Sequence, residues 1–118
     1  MTARRFATPE PTICAVCRRH AVWIGYSPNN QPPIWLCGAT ECSSLAERVY
    51  SMKSHILDAY EHGARIEAGQ YAGAYLDECG TADLAELPPD QWDEFCTRFI
   101  LAYEKAMIRK IQGNEPPF

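Results

Sequence analysis

The sequence contains no long hydrophobic run, although 47% of its 118 residues are apolar. A membrane-spanning helix needs a stretch of about 18 or more apolar residues, so none is predicted. Arg4 and Arg5 lie near the start of the chain without an apolar stretch behind them, and we therefore expect no secretory signal peptide. The remaining composition, with 22% charged residues, is typical of an ordinary soluble globular domain and excludes a disordered or collagen-like chain.

Basic side chains are scarce, with 11 Lys and Arg against 15 Asp and Glu. The imbalance is uneven, because residues 1–55 hold six basic and three acidic side chains whereas residues 56–118 hold five and twelve. Four thiolates around one zinc ion would add about two negative charges to the first half. A broad electrostatic attraction to nucleic acid is therefore not predicted.

The sequence also lacks a catalytic constellation. Zinc deaminases carry a glutamate two residues after a zinc ligand, whereas the cysteine pair nearest the start has Val16 and Arg19 at that offset. The acidic cluster at 90–94 lies where a helix start favours acids, and His55 and His62 have no obvious carboxylate or thiol partner. We expect neither an enzyme nor a small-molecule substrate.

Two pairs of cysteines are what the chain does have. Cys14 and Cys17 are separated by two residues, and Cys37 and Cys42 by four. In a chain without an export signal, close pairs are typical of metal ligands rather than disulfides. Thiolates select zinc over magnesium or calcium, and four of them leave no open coordination position. We predict one structural zinc ion, with an iron–sulfur cluster and replacement of one sulfur by His20 as open alternatives.

The residues around the cysteines predict a small finger. Strands are expected within Ala21–Tyr26 and at Ile34–Leu36, because β-branched and aromatic residues flank a stretch of turn residues. A helix starting at Thr40 or Glu41 would hold Cys42 in its first turn. This order of knuckle, hairpin and helix is typical of a treble-clef finger, although the second cysteine pair is spaced more widely than usual.

The residues that follow the predicted finger have the apolar spacing of amphipathic helices. Four apolar residues at helical spacing predict the first helix: Leu45, Val49, Met52 and Ile56. The first helix either runs on or breaks near Lys53 and Ser54, where Ser54 could cap a second helix that ends at Gly80. This second helix carries Leu57, Tyr60, Ala64, Ala68, Tyr71, Tyr75 and Leu76. Small residues at Ala64, Ala68, Ala72 and Gly73 would let another helix approach it closely. A connector with Leu84 and Leu87 packed inward precedes a last helix, which starts at Pro89 and ends at Gly113.

The predicted fold is therefore mainly α, with an N-terminal treble-clef-like zinc finger followed by a small helical bundle. Residues 1–12 are expected to be a flexible arm and residues 13–118 a single domain. Within that domain, 13–53 would be the finger and first helix, 54–113 the helical part and 114–118 a tail. Cys79 and Cys96 are interpreted as buried small hydrophobes, and a second metal site at these two is a minor alternative.

Two surfaces are candidates for binding a partner. Arg18 and Arg19 follow the knuckle and Trp23 lies on the hairpin, a mixture that can hold phosphates and stack bases, although such aromatics also suit a small core around the metal. The helical half offers four acidic candidates for contact with a protein: Asp77, Glu78, Asp83 and Glu86. A protein partner is favoured over nucleic acid because the molecule is acidic.

Several segments together carry a resemblance: Cys14–Cys17, Pro33–Cys37, Leu57–Glu61, Ala72–Glu78, Thr81–Ala85 and Pro116–Phe118. Over most of its length the chain resembles a family of small phage and prophage proteins of unknown function. Pro88, where that pattern leads one to expect a capping serine or threonine, is a departure. The resemblance implies a bacterial cytoplasmic setting and brings no catalytic residues. Inhibition of a host defence or transcription complex is the specific function expected in that setting.

Overall fold

The computed structural model of the protein describes residues 13–28 and 33–116. Two strands and four α-helices follow one another along the chain: β1 (Trp23–Tyr26), β2 (Ile34–Leu36), α1 (Thr40–Ser44), α2 (Ala46–Ser51), α3 (Ser54–Cys79) and α4 (Pro89–Gly113). A single 3-10 turn, Leu84–Glu86, lies between α3 and α4. The mainly helical architecture with a small β-hairpin near the N-terminus agrees with the prediction. The expected arm at residues 1–12 lies outside the described residues.

The β-hairpin forms where the β-branched and aromatic residues predicted two strands. β1 and β2 pair antiparallel, with Trp23 opposite Leu36 and a shift of register between Ile24 and Tyr26. Ile34 and Leu36 are completely buried. β2 thus presents its apolar side chains to the interior and leads directly into Cys37.

The prediction of one continuous first helix is wrong, because the segment is split into α1 and α2. Leu45 separates them with a φ of −102° and a ψ of 2°, so the regular helical hydrogen bonding is interrupted there. Leu45 and Val49 are nevertheless buried on the same side. The spacing of the apolar residues predicted the buried face correctly and could not reveal the break.

α3 ends as predicted and starts differently. Gly80 adopts a left-handed conformation with φ of 76°, and its N–H and that of Thr81 both donate to the carbonyl of Leu76. Only glycine adopts this conformation without strain. Ser54 is the first residue of the helix, not its cap; Lys53 is the N-cap and no side chain caps the helix.

α4 starts at the expected proline, since Pro88 is its N-cap and Pro89 its first residue. Gly113 is its last residue, and Asn114 closes it in the left-handed conformation with φ of 49°. Arg48 of α2 donates hydrogen bonds to the last carbonyls of α4, at 3.1 Å to Ile111 and 2.6 Å to Gln112. These bonds tie the end of α4 to the segment that follows the cysteines.

α3 and α4 form a long antiparallel pair, here named the helical hairpin, and residues 13–52 are named the finger. One core joins the two, because the buried cysteines belong to the same cluster as Leu57, Met107 and Ile111. None of residues 73–105 is buried. The hairpin therefore extends beyond the finger, which agrees with the 53 Å length of a molecule only 31 Å and 28 Å across.

Leu84 was predicted to pack inward, but both this residue and Tyr71 of α3 are exposed. Tyr71 is 58% exposed and Leu84 is 40% exposed. Ala64, Ala68 and Ala72, three of the small residues predicted to let another helix approach α3, are completely buried. Among residues 13–28 and 33–116, none of the helices combines the length and the apolar character that a membrane span requires.

Candidate metal centre

The structure brings the four paired cysteines together. The Sγ atoms of Cys14, Cys17, Cys37 and Cys42 all lie within 4.8 Å of one another. The Sγ atoms of Cys17 and Cys37, which are 20 residues apart in the sequence, are separated by 3.8 Å. Three of the four residues are buried and Cys37 is half-buried. Four sulfur ligands converging in the interior can hold one metal ion.

A tight backbone turn aims the first pair. The N–H of Cys14 donates to the carbonyl of Arg19 at 2.7 Å, and the N–H of Arg18 donates back to the carbonyl of Cys14 at 3.1 Å. Arg18 has a φ of 69°, which is uncommon for a residue with a side chain. The turn is held to the hairpin because the N–H of Ala15 donates to the carbonyl of Trp35 at 2.9 Å.

The second pair is delivered by two elements. Cys37 directly follows β2, and Cys42 is the third residue of α1. Gly38 lies between them with φ of 91°, a conformation that lets the chain turn from the strand into the helix. The arrangement is consistent with the predicted knuckle, hairpin and helix. A helix of five residues is too short to establish a treble clef.

Hydrogen bonds among the sulfurs shift the pKa values of three of the four thiols. Hydrogen bonding with Cys17 and then Cys42 holds the pKa of the Cys14 thiol far below its ordinary range. The hydrogen bond with Cys14 raises the pKa of Cys17 to about 12. Hydrogen bonding with Cys14 and Cys17 raises the pKa of Cys42 strongly. Thiols must lose their protons to bind a divalent cation as thiolates, so metal binding by this group would release protons.

The other candidate ligands lie elsewhere. His20 is exposed and pairs with Ile13 in an isolated bridge, so the four-sulfur group is complete without it. Cys79 and Cys96 were interpreted as buried, but they are half-buried free thiols on the helical hairpin. Within residues 13–28 and 33–116, the paired cysteines form the one group of three or more potential ligands. The minor alternative of a second metal site thus has no support there.

The two arginines after the knuckle are engaged in holding the fold. Nε of Arg18 lies 2.8 Å from a carboxylate oxygen of Glu61 on α3, with the two side chains only 12% and 11% exposed. Arg18 also donates to the carbonyl of Ala15. Arg19 pairs with Glu104 of α4 at 3.1 Å. Each arginine therefore joins the finger to one helix of the hairpin, which reduces its availability for phosphate.

Neither glutamate was singled out from the sequence. Glu61 and Glu104 are 43 and 85 residues away from their partners, so no local spacing links them. One signal was present: Glu61 lies among apolar positions on the buried side of α3, between Tyr60 and Ala64. A carboxylate on such a face requires a partner, and the arginines beside the metal site were available.

The remaining candidates for partner binding are spread over the surface. Trp23 is 46% exposed on the hairpin. Glu78 pairs with Arg98 at 3.1 Å, and Asp83 accepts a hydrogen bond from the N–H of Ala85 in the 3-10 turn. Asp77 and Glu86 are exposed. Part of the predicted acidic set thus serves local structure.

Comparison with protein-family models, with curated proteins and with solved structures yields no match to this chain. The resemblance to phage and prophage proteins therefore receives no support from related proteins. The features of the molecule that bear on function are the cysteine cluster and the surface of the helical hairpin.

Proposed function

We propose that this chain is a non-enzymatic protein in which one structural zinc ion organises the finger and the helical hairpin binds a macromolecular partner. The observation that carries the proposal is the convergence of four sulfur atoms within 4.8 Å. In a tetrahedral site with zinc–sulfur bonds of about 2.3 Å, neighbouring sulfurs lie about 3.8 Å apart. The 3.8 Å between Cys17 and Cys37 matches that spacing.

Zinc in such a site is structural because four protein sulfurs fill its coordination sphere and leave no position for water or substrate. Cys14, Cys17 and Cys42 are at most 1% exposed, which also keeps a substrate from the metal. An iron–sulfur cluster needs the same four ligands. Absorbance and metal analysis of the purified protein distinguish these two occupants.

A protein partner is favoured over nucleic acid by the charge of the hairpin. Its outer end, residues 77–93, contains six carboxylates and no lysine or arginine. The two arginines that would contact phosphate are paired with Glu61 and Glu104. In the phage setting that the resemblance suggests, this partner would be a protein complex of the bacterial host, which the protein would inhibit by covering its surface.

The metal is tested by measuring bound zinc in the purified wild type and in two serine variants. Wild type should carry about one zinc per chain, Cys42→Ser should lose most of it, and Cys79→Ser should keep it. Cys79 is a matched control because it is a half-buried cysteine outside the cluster. Equal zinc content in both variants, or none in wild type, would contradict the proposal.

Nucleic-acid binding is the second candidate, and its salt dependence separates it from the first. Phosphate contacts release counterions, so affinity for DNA or RNA would fall steeply as salt rises. We expect no mobility shift with single- or double-stranded DNA or RNA at low salt. A shift that Arg19→Ala and Trp23→Ala both abolish would establish the nucleic-acid function instead.

A further inference from the structure

A groove runs between α3 and α4 with a volume of about 550 Å³. Nine residues line it: Glu67, Tyr71, Glu94, Arg98, Leu101, Ala102, Lys105, Ala106 and Arg109. Leu101, Lys105 and Arg109 recur every four residues and share one side of α4. The finger occupies a different side, where Glu104 binds Arg19 and Ile111 enters the common core. The groove therefore faces away from the finger.

The middle of the groove is apolar and exposed. Tyr71 is 58% exposed and Leu101 is 40% exposed, and Ala102 and Ala106 also line it. Exposed apolar side chains grouped with small ones provide a surface on which another helix can pack closely. Two helices without a third layer also explain why residues 73–105 contain no buried side chain.

Charges of both signs frame this apolar middle. At one end Glu94 pairs with Arg98 at 2.9 Å, and at the other Glu67 pairs with Arg109 at 2.8 Å. Lys105 lies between these ends and is exposed. Among residues 13–28 and 33–116, no ion pair is recorded for Lys105. A helix that fits here should carry apolar residues in the middle and an acid toward Lys105.

We propose that the occupant is the helical hairpin of a second copy of this chain, related by a twofold axis near Leu101 so that the two α4 helices run antiparallel. Glu94 lies seven residues before Leu101 and would come level with Ile108 of the second copy, seven residues after it. At that position Glu94 is within reach of Lys105 and Arg109 of the second copy. Because a twofold interface repeats every contact, each association forms this charge pairing twice, while Arg98 stays compensated within its own copy by Glu78 and Glu94.

The available area is sufficient for a stable dimer. α3 contains 26 residues, which corresponds to a length of about 39 Å, and two packed helices are about 18–20 Å wide. One face of the hairpin therefore offers about 700–800 Å² per copy, close to the roughly 800 Å² per partner of a standard interface. This inference does not depend on the proposed function, because it uses the groove and not the acidic outer end.

The test is sedimentation of the full zinc-loaded chain over about a hundredfold range of concentration. Wild type should shift from monomer to dimer as concentration rises. Leu101→Asp should weaken dimerisation at least about tenfold, as expected for a charge placed at the centre of an interface. Ile100→Asp should leave dimerisation unchanged. Ile100 is a matched control because it is adjacent on α4 and 51% exposed.

A charge exchange provides a second test that does not depend on the tolerance of position 101. Glu94→Lys and Lys105→Glu should each be largely monomeric alone, and an equimolar mixture should restore the dimer, because the exchanged charges then face each other. Circular dichroism checks that each variant keeps its helices. A wild type that stays monomeric throughout, or a mixture no more associated than its components, would overturn the proposal and leave the groove for a different protein.

Discussion

Two adjacent arginines differ in how strongly they hold the finger to the helical hairpin. The Arg18–Glu61 side chains are 12% and 11% exposed, whereas Arg19 and Glu104 are 52% and 22% exposed. Arg18→Ala leaves a carboxylate buried without that cation, which should lower the free energy of unfolding by about 3 kcal/mol. Arg19→Ala breaks a solvent-screened pair and should cost at most about 1 kcal/mol. Urea unfolding of both variants measures the difference.

Equal losses for the two variants would contradict this assignment. Arg18→Ala combined with Glu61→Gln supplies a control, because it also removes the Glu61 charge while keeping a similar volume at that position. The double variant should recover part of the stability that Arg18→Ala loses. No recovery would mean that Arg18 acts through its contact with the Ala15 carbonyl and not through the carboxylate.

Two glycines should respond to alanine with opposite signs. Gly25 lies at the register shift of β1, and a Cβ there would enter the side chain of Leu36. Because Leu36 is completely buried, Gly25→Ala should destabilise the protein by about 1–3 kcal/mol. A Cβ on Gly73 in α3 would have no atom within 4 Å, so Gly73→Ala should stabilise by up to about 1 kcal/mol. Thermal unfolding of the two variants checks both signs, and a destabilised Gly73→Ala would indicate an unrecognised close contact.

Among the elements, the pairing of α3 with α4 should depend on pH through Glu67. Hydrogen bonds first from Arg109 and then from Lys110 lower the pKa of this carboxyl to about 2. A folded pKa below the ordinary value gives stability that is present above about pH 4.5 and is lost as the pH falls toward 2. Glu67 is 39% exposed, so solvent screening limits the effect to below about 1 kcal/mol.

The corresponding variant is Glu67→Gln, which keeps the shape and removes the titration. Its stability should lie below that of wild type at neutral pH, and the difference should shrink as the pH falls from about 5 to 2. Comparing the two proteins at each pH removes the contribution of the cysteines, which is common to both. A difference that stays constant over this range would show that the ion pairs do not contribute through charge.

The ends of the helices were predicted from the sequence only where a residue with special backbone properties marks them. Gly80 predicted the end of α3 because glycine adopts the left-handed conformation that closes a helix. Pro89 predicted the start of α4 because the fixed φ of proline suits the first turn of a helix. The break at Leu45 had no such marker, since leucine favours helix and the interruption depends on the packing around the cysteines. Leu84 was predicted to pack inward and is exposed, because the apolar character of a connector residue does not show which side of the chain faces the core.

The candidate metal site was also predicted only in part. The grouping of the four cysteines followed from their spacing, because short loops keep paired ligands near one metal. Their connection to the helical hairpin did not, because Arg18 and Arg19 reach glutamates 43 and 85 residues away. Charges in a sequence do not identify their partners, so the ion pairs of Arg18 with Glu61 and of Arg19 with Glu104 could not be predicted.

For the whole molecule, the shared core predicts that removal of the proposed zinc ion destabilises both parts together. Cys14 and Cys42 belong to the same buried cluster as Met107 and Ile111 of α4, and the turn that carries Cys14 also holds the Arg18–Glu61 pair. A metal that binds only the folded state stabilises it by mass action. Adding a chelator should therefore lower the midpoint of the helical circular dichroism signal and of tryptophan fluorescence by the same amount. The fluorescence is read in a Trp92→Phe background, because Trp92 lies on α4 and only Trp23 and Trp35 then report on the finger. If this fluorescence changed while the helices melted at an unchanged temperature, the finger would unfold independently and the shared core would not be cooperative.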